Sequence, residues 1–416
     1  MKYQVTAPKK IEKVIDLPAS KSISNRALVI RALAHGNEPI ENLADCDDTS
    51  VIIKAFSKRK EASELIDIKA AGTAMRFLTA YYCTIPGTHI ITGTERMKQR
   101  PISILVDALR ALGAQIDYVE REGYPPLRIT GTKLHSSQLT LPGNISSQYI
   151  SALLMIGPTL PEGLQLTLTD AVTSLPYIDM TLQLMQDFGA KAERNGSAVP
   201  MQIEVKPGDY QDKVYTIEND WSAASYWYEM VALSQDTKAS VTLPHLYPNS
   251  TQGDWQGSKL FALLGVQTEF TAEGIQIHQA GSLPQRLDYS FREIPDLAQT
   301  FVVTCCLLDV PFRFTGLHTL RIKETDRISA LINELQKLGY ILEAEGDEAL
   351  RWDGKHCAAE QNPVIATYDD HRMAMAFAPA ALRLPQITIE HPDVVTKSYP
   401  RYWEDLQKAG YKLKQA

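Results

Sequence analysis

The segment DALRALGAQIDYVEREGYPPLRI (residues 107–129) contains an amphipathic helical pattern, a glycine, and two alternating stretches joined by a turn. Gly113 stands where a helix commonly ends on a residue with left-handed backbone. The alternation of apolar and polar residues after it is typical of a half-buried β-hairpin. This segment therefore predicts a helix that leads directly into a hairpin.

The same pattern recurs along the rest of the chain. The later copies are LQLMQDFGAKAERNGSAVPMQI (182–203), FALLGVQTEFTAEGIQI (261–277), NELQKLGYILEAEGDEALRW (333–352) and DLQKAGYKLK (405–414). Successive terminal glycines are separated by 71 to 76 residues. Such regular spacing indicates an internal structural repeat. We interpret VIIKAFSKRKEASELIDIKA (51–70) as a degenerate first copy with a shortened hairpin, which brings the number of units to six.

The number of units also predicts how the chain divides. A chain of 416 residues is too long for one ordinary hydrophobic core, so at least two domains are expected. Three units in each domain place the boundary near Glu218. We therefore predict one domain at residues 19–218 and a second at residues 1–18 plus 219–416, to which the N-terminal strand returns.

The composition is that of an ordinary globular protein, with 44% hydrophobic and 22% charged residues. Lys and Arg number 42 against 49 Asp and Glu, and this net charge of −7 argues against a nucleic-acid partner. The five cysteines form no C-x-x-C pair, which favours a reducing compartment. The N-terminus has no apolar signal core, and the longest apolar stretch, residues 301–310, is about half a membrane span. We expect a cytoplasmic protein with no membrane partner, and a monomer.

Several predicted helices begin with hydroxyl, glycine and cationic residues. Each Ser, Thr or Asp alone is more simply explained as a helix N-cap, and each Arg or Lys as a solvated charge. Their joint occurrence on an acidic chain instead indicates sites for small anionic substrates, because helix N-termini attract phosphate and carboxylate. The stretches are LPASKSISNRALVIRALAHG (17–36), AAGTAMRFL (70–78), PGNISSQYISALLMIGP (142–158), SLPYIDMTLQLM (174–185), KETDRISALINEL (323–335), YDDHRMAMAFAPAAL (368–382) and TKSYPRYWEDL (396–406).

Familiar cofactor and metal motifs are absent from the sequence. It contains no P-loop, no G-x-G-x-x-G after a predicted strand and no H-E-x-x-H, and its nine histidines show no metal-ligand spacing. These absences argue against an ATPase, a dinucleotide-dependent dehydrogenase and a zinc hydrolase.

Seven motifs, in order, resemble those of the 5-enolpyruvylshikimate-3-phosphate synthase (EPSP synthase) family. They are LPASKSISNRAL (17–28), AGTAMRFL (71–78), RMKQRPI (96–102), SSQYISALLM (146–155), IPDLA (294–298), RIKETDRI (321–328) and DDHRMAMAF (369–377). The resemblance implies a mixed α+β (α/β) fold, a two-domain inside-out α/β barrel with three βαβαββ units per domain. It also implies no metal and no organic cofactor.

The resemblance further implies the reaction and its place in metabolism. Phosphoenolpyruvate would give its enolpyruvyl group to the 5-hydroxyl of shikimate 3-phosphate, releasing phosphate, in the shikimate pathway to chorismate and the aromatic amino acids. This family is the target of glyphosate. Ala70 stands where the family usually has Asn, and Phe77 where it usually has Pro.

Residue roles follow from the matched motifs. Lys21 would touch both substrates, and Lys323 would lie between them. The catalytic carboxylate beside the 5-hydroxyl would be Asp296, and Glu324 would transfer the proton at the methylene carbon. The implied shikimate 3-phosphate site is Lys21, Ser22, Arg26, Ser146, Ser147, Gln148, Ser174, Tyr177, Asp296 and Lys323. The implied phosphoenolpyruvate site is Lys21, Gly72, Arg100, Gln148, Arg327, Arg372 and Lys397.

Two alternative functions share these features. One is the related enolpyruvyl transferase that acts on UDP-N-acetylglucosamine, whose family typically has a reactive loop cysteine. Here Cys83, Cys305 and Cys306 fall in apolar helical stretches that predict core positions. The other is a non-catalytic binding protein on the same fold, which the presence of Asp296, Lys323 and Glu324 disfavours.

Overall fold

The computed structural model describes residues 1–57, 63–196 and 198–416. The chain forms two compact units. We call Met1–Ser20 with Glu218–Ala416 the terminal unit, and Lys21–Ile217 the central unit. The chain passes from the terminal unit into the central unit after Ser20 and returns after Ile217.

Helices and strands alternate along most of the chain. The α-helices are α1 (Lys21–Leu33), α2 (Asp47–Ser57), α3 (Gly72–Cys83), α4 (Glu95–Lys98), α5 (Ser103–Ala111), α6 (Ser147–Ile156), α7 (Leu175–Asp187), α8 (Trp221–Leu233), α9 (Gly257–Leu263), α10 (Ala298–Leu307), α11 (Arg327–Lys337), α12 (His371–Phe377) and α13 (Tyr402–Lys408). Short 3-10 helices lie at Gly157–Thr159, Gly253–Gln256, Pro295–Leu297, His318–Ile322, Ala378–Leu382 and Pro392–Lys397. The strands are β1 (Lys2–Thr6), β2 (Glu12–Val14), β3 (Ile40–Glu41), β4 (Ser63–Asp67), β5 (Gly87–Thr92), β6 (Gln115–Tyr118), β7 (Leu127–Gly131), β8 (Gln138–Leu141), β9 (Leu164–Leu168), β10 (Ala192–Asn195), β11 (Met201–Val205), β12 (Tyr215–Thr216), β13 (Ser240–Pro244), β14 (Val266–Phe270), β15 (Gly274–Gln279), β16 (Leu287–Ser290), β17 (Phe312–Thr315), β18 (Glu343–Glu345), β19 (Ala349–Trp352), β20 (Val364–Ile365), β21 (Ile387–Glu390) and β22 (Lys412–Gln415).

One pattern of pairing is repeated in most of the sheets. In the central unit, β4 and β5 pair in parallel across the crossover helix α3, and the hairpin β6–β7 adds antiparallel to β5 after α5. A parallel pair needs a crossover connection, whereas an antiparallel pair can follow a tight turn. The result is a βαβαββ unit with the strand order β4-β5-β7-β6.

The same order holds in four further sheets. The central unit repeats it in β10-β11-β9-β8, and the terminal unit in β16-β17-β19-β18, β14-β15-β13-β2 and β20-β21-β1-β22. In the last of these, β1 lies between β21 and β22 and completes the sheet from the other end of the chain. A sixth sheet, in the central unit, has the parallel strands β3 and β12 among the described residues. The mixed fold predicted from the sequence is confirmed.

The predicted helix ends are confirmed by the backbone. Gly113, Gly189, Gly265, Gly339 and Gly410 each follow a helix and have φ between +78° and +102°, the left-handed region that favours glycine. The interpretation of residues 51–70 as a separate first copy is wrong. Residues 51–57 end α2, residues 58–62 lie outside the described residues, and β4 is the first strand of the following unit. The residue alternation in β4 is the same as in a hairpin strand. Alternation does not reveal that the partner of β4 is the parallel strand β5.

The crossover helices form the interior of each unit. In the terminal unit every residue of α8, α10 and α12 is buried, and these helices pack on one another. Helices that are buried on all sides form a core. The strands, in contrast, alternate between buried and exposed residues, as in β17 and β21. Helices therefore lie inside and sheets outside. Among the described residues no helix is long and apolar enough to cross a membrane.

Glu229 on α8 has no exposed surface, and burial raises the pKa of its carboxyl well above the ordinary 4.5. Above pH 4.5 the folded protein therefore holds a proton that the unfolded chain has lost. The free energy of unfolding should then fall by about 1.4 kcal/mol per pH unit until the folded-state pKa is passed. Glu229→Gln removes this dependence, so its stability relative to wild type should rise between pH 5.5 and 8 in urea unfolding. The exposed Glu348→Gln is the control. Parallel stability curves for wild type and Glu229→Gln would contradict the prediction.

Candidate active site

The charged residues predicted in the terminal unit all lie just after strands, where the next helix begins. Asp296 follows β16 on a 3-10 helix that leads into α10, and Arg327 is the first residue of α11. Arg372 is the second residue of α12, and Lys397 ends the 3-10 helix that follows β21. These residues follow the carboxyl ends of two parallel pairs in two sheets, β16–β17 and β20–β21, and such strand ends are where α/β proteins place ligand sites.

Asp296 is surrounded by three cations. Its Oδ2 accepts a hydrogen bond from Nη2 of Arg372 at 2.8 Å. Its Oδ1 lies 3.3 Å from Nζ of Lys323 and 3.5 Å from Nη1 of Arg327. The Asp296 side chain keeps 22% of its surface exposed. The carboxylate is therefore oriented from several sides yet remains open to an incoming group.

Glu324 forms a second carboxylate centre next to the first. Its Oε1 lies 2.7 Å from Nζ of Lys397, and its Oε2 accepts from Nη2 of Arg327 at 3.0 Å. Arg327 thus contacts both Asp296 and Glu324. Two carboxylates held by different cations but joined through one guanidinium can take separate acid and base roles.

The buried carboxylate of Asp370 holds Arg327 in position. Asp370 was not predicted from the sequence. It is completely buried, lies 2.7 Å from Nε of Arg327, and caps α12 by accepting from the Arg372 backbone N–H at 2.9 Å. Burial alone would lower the pKa of Arg327, but the charges of Asp370, Glu324 and Asp296 hold it above its ordinary value. The motif DDHR (369–372) indicates a helix N-cap in the sequence. The motif does not show whether the aspartate only caps the helix or also binds a distant arginine.

We define the charged cluster as Asp296, Lys323, Glu324, Arg327, Asp370, Arg372 and Lys397. Its four cationic side chains exceed its three carboxylates, so an anionic ligand would complete the charge balance. Arginine donors can also bind a carboxylate or phosphate bidentately. The structure brings together all six of the site residues predicted in this unit.

In the central unit, Arg26 links three helices. Its Nε donates to Oγ1 of Thr181 at 2.7 Å, its Nη1 to the Ser22 carbonyl at 2.9 Å, and its Nη2 to Oγ of Ser151 at 3.1 Å. Nη2 also lies 3.5 Å from the Tyr177 carbonyl. Arg26 is 2% exposed, and burial lowers its pKa to about 10. It therefore fixes α1 against α6 and α7 and sets the positions of Ser22 and Tyr177.

Lys21 is the first residue of α1, and its Nζ lies 3.0 Å from Oδ2 of Asp48. Asp48 is 3% exposed and was not predicted from the sequence. It orients the lysine, whose side chain remains 14% exposed. A paired lysine with an open face can still receive a phosphate oxygen.

The start of α6 lies beside the start of α3. Ser146 caps α6 by accepting from the Gln148 backbone N–H at 3.4 Å, and Ser147 is the first helical residue. The Gln148 side chain donates to Oγ1 of Thr73 at 3.2 Å. These contacts bring hydroxyls and helix N–H groups together, which is the chemistry of an anion site.

Ser174 and Tyr177 lie at the start of α7. Ser174 has φ +56°, in the left-handed region, and its carbonyl accepts from the Tyr177 backbone N–H at 3.0 Å. A serine in this conformation is uncommon and is often found at functional sites. Tyr177 is 8% exposed and its ring lies 5.9 Å from the Arg26 guanidinium.

Gly72 at the start of α3 lies against Arg100. A Cβ placed on Gly72 would be 2.6 Å from Nη1 and 3.0 Å from Nη2 of Arg100, closer than side-chain atoms normally approach. Arg100 is 7% exposed. The glycine therefore leaves room for the guanidinium to lie directly over the helix start.

The described part of the chain contains no group of three or more His, Cys, Asp or Glu side chains placed to hold a metal ion. All five cysteines are free, and all but Cys357 are buried. Burial raises the pKa of the Cys83 and Cys305 thiols, which keeps them unreactive.

Comparison with known proteins gives one family. The model of EPSP synthase (3-phosphoshikimate 1-carboxyvinyltransferase) matches residues 5–406. A relative named 3-phosphoshikimate 1-carboxyvinyltransferase from Bacteroides fragilis is 59% identical over 414 residues, covering 100% of this chain and 99% of the relative. A relative of the same name from Aliivibrio fischeri is 36% identical over 427 residues, covering 96% and 97%.

Solved structures show the same fold. An EPSP synthase from Acinetobacter baumannii superposes with a TM-score of 0.76, covering 100% of both chains at 23% identity. The enolpyruvyl transferase NikO from Streptomyces tendae superposes with a TM-score of 0.74, covering 100% of this chain and 98% of NikO at 15% identity.

Proposed function

The chain belongs to the EPSP synthase family, and we propose that it transfers the enolpyruvyl group of phosphoenolpyruvate to the 5-hydroxyl of shikimate 3-phosphate. The products are 5-enolpyruvylshikimate 3-phosphate and inorganic phosphate, in the shikimate pathway. The family and the transferase activity predicted from the seven motifs are confirmed.

The observation that carries the residue assignment is the pair of carboxylates in the charged cluster. Asp296 and Glu324 are held by separate cations, Lys323 and Lys397, and share Arg327. Enolpyruvyl transfer needs one group to accept the hydroxyl proton and another to supply a proton to carbon. Asp296 as an ionised carboxylate meets the first need, and Glu324 meets the second when it carries a proton.

The proposed chemistry runs in two stages. The 5-hydroxyl oxygen bonds to the phosphate-bearing carbon of phosphoenolpyruvate, its proton passes to Asp296, and the methylene carbon gains a proton from Glu324 in its protonated form. The carbon–oxygen bond to phosphate then breaks, a proton of the new methyl group returns to Glu324 to restore the double bond, and Asp296 passes its proton to the departing phosphate. Lys323, which contacts Asp296, stabilises the anionic oxygens during both stages.

We assign shikimate 3-phosphate mainly to residues of the central unit, in the domain predicted at 19–218. Ser146 and Ser147 offer hydroxyls and helix N–H groups for its phosphate, and Lys21 offers a cation. Arg26 acts by positioning Ser22 and Tyr177 and by its positive charge. The remaining groups assigned to this substrate are Gln148, Ser174, Asp296 and Lys323.

We assign phosphoenolpyruvate to the cationic residues. Arg327, Arg372 and Lys397 supply the excess positive charge of the charged cluster, in the domain predicted at 1–18 plus 219–416. The remaining assigned groups are Lys21, Gly72, Arg100 and Gln148. The carboxylate and phosphate of phosphoenolpyruvate match the paired donors of arginine.

We also propose a monomeric cytoplasmic enzyme. Five free cysteines, four of them buried, suit a reducing compartment. Light scattering after size exclusion should give one chain mass, 46.4 kDa.

The direct test of function is phosphate release in a coupled assay. Release should require both phosphoenolpyruvate and shikimate 3-phosphate. Release that instead requires UDP-N-acetylglucosamine would identify the related transferase, and binding of both substrates without release would identify a non-catalytic protein.

Gly72→Ala tests the phosphoenolpyruvate assignment. The added Cβ must displace Arg100, which removes a charge-assisted contact worth roughly tenfold in affinity. We expect the KM for phosphoenolpyruvate to rise by about that factor, while the Kd for shikimate 3-phosphate stays within about twofold. Steady-state turnover gives the KM and calorimetry gives the Kd on one variant, so shikimate 3-phosphate is the internal control. Equal losses for the two substrates would show general damage to the fold instead.

A further inference from the structure

A hydrogen-bonded network closes the start of α8 in the terminal unit. Asp220 caps the helix by accepting from the Ser222 backbone N–H at 2.9 Å. The Gln252 side chain donates to Asp220 at 2.5 Å and to Oγ of Ser222 at 3.1 Å, and accepts from the Trp221 backbone N–H at 3.1 Å. The Ser222 hydroxyl in turn donates to Oδ2 of Asp254. The network therefore ends on a buried carboxyl group.

Asp254 is 1% exposed and interacts electrostatically with Asp296. Its 3-10 helix runs into α9, and Gly257 at that junction packs so closely on Leu297 that a Cβ would lie 2.6 Å from Leu297 Cδ1. Leu297 directly follows Asp296 in the chain. The segment carrying Asp254 is thus packed against the segment carrying Asp296.

The charged groups that act on Asp254 come from three neighbouring elements. Burial raises its pKa to about 7, and the charges of Asp296 before α10 and Asp220 before α8 contribute in the same direction. The Ser222 hydrogen bond and the charge of Arg372 on α12 act in the opposite direction. Arg372 donates a hydrogen bond to Asp296, so the charge of one cation acts on both carboxyl groups.

We propose that Asp254 is a positioning residue that acts through Asp296, because its negative charge strengthens the hold of Asp296 on the proton taken from the attacking hydroxyl. This inference depends on the proposed role of Asp296 as the base. A second buried negative charge raises the proton affinity of a neighbouring carboxylate, and a stronger base accelerates proton removal. The same charge opposes the binding of anionic phosphoenolpyruvate near Arg372.

Two kinetic consequences follow. As Asp254 ionises near pH 7, kcat should rise because the base becomes stronger. The KM for phosphoenolpyruvate should rise over the same interval, because the added negative charge weakens the pull of Arg372. If Asp254 served only to accept the hydrogen bond from Ser222, neither kcat nor the KM for phosphoenolpyruvate would change in this way, since asparagine can accept the same hydrogen bond.

The test is the ratio of wild-type kcat to Asp254→Asn kcat between pH 5.5 and 9. Titration of the substrate phosphates affects both proteins equally and cancels in the ratio. We expect a ratio near one below pH 6 and roughly tenfold above pH 8, with a midpoint near 7. The exposed Asp288→Asn should give a flat ratio near one. A flat ratio for Asp254→Asn, at any value, overturns the proposal.

Ser222→Ala gives a second test in which Asp254 is retained. The wild-type Ser222 hydroxyl donates to Asp254 and favours the ionised form of Asp254. Without this bond the variant should show the same rise in kcat, with its midpoint shifted to higher pH. An unmoved midpoint overturns the proposal. If Asp296→Asn keeps most of its turnover, Asp296 is not the base, and the residue assignment on which this inference depends fails. If that variant is inactive while the Asp254→Asn ratio is flat, only the present inference fails.

Discussion

Asp296→Asn is expected to lower kcat by ~10²–10⁴-fold, the usual effect of removing a general base. Asparagine is nearly isosteric and can still accept a hydrogen bond from Arg372, which lies 2.8 Å from Oδ2 in the wild type. It cannot take the hydroxyl proton. Shikimate 3-phosphate binding should be nearly unchanged, because its phosphate is assigned to Lys21, Ser146 and Ser147. Steady-state turnover and calorimetry on the same preparation measure both quantities.

The matched control for this variant is Asp288→Asn, an exposed aspartate on β16 of the same unit that pairs with Arg286. It should keep wild-type kcat. Thermal unfolding of Asp296→Asn should confirm that the variant is folded. If it keeps more than about a tenth of wild-type turnover while folded, Asp296 is not the base.

Glu324→Gln should be nearly as damaging, with kcat lower by ~10²–10³-fold. Glutamine keeps an acceptor for Arg327 or Lys397 but cannot supply a proton to the methylene carbon. Both cations lie within 3.0 Å of the wild-type carboxylate, and the loss of its charge leaves the cluster more positive. The KM for phosphoenolpyruvate should therefore stay equal or fall while kcat falls steeply.

This division between kcat and KM distinguishes a proton donor from a structural ion-pair partner. A structural Glu324 would predict displaced cations and a raised KM with little loss of kcat. Glu348→Gln, at an exposed position, is the matched control and should change neither constant. A variant with raised KM and near-normal kcat would remove Glu324 from the proton transfer.

Local features of the fold could be predicted from the sequence, whereas long-range pairing could not. Gly113 and Gly339 end helices through their own backbone conformation, which a sequence pattern reveals directly. The pairing of β3 with β12 joins residues about 175 positions apart through strands of two residues. Strands that short carry no alternation, so nothing in the local sequence identifies the partner.

The same limit applies to the candidate site. Motif residues such as Arg327 and Arg372 could be selected because cations at helix starts are unusual. Asp48, Asp254 and Asp370 were missed because a buried carboxyl that anchors a cation looks, in sequence, like an ordinary N-cap or surface acid. Only their burial, between 0% and 3% exposed, reveals the difference.

The position of β1 between β21 and β22 has a consequence for synthesis on the ribosome. The central unit is one continuous segment and can fold once Ile217 has emerged. In the terminal unit β1 has no neighbouring strand until β21 is made and gains its second only with β22, which takes roughly 20–80 s at ordinary rates of elongation. Just before β21 is made, β1 still has no partner strand, although the central unit is already synthesised. Synthesis of β21 and β22 is therefore the event that completes the sheet around β1.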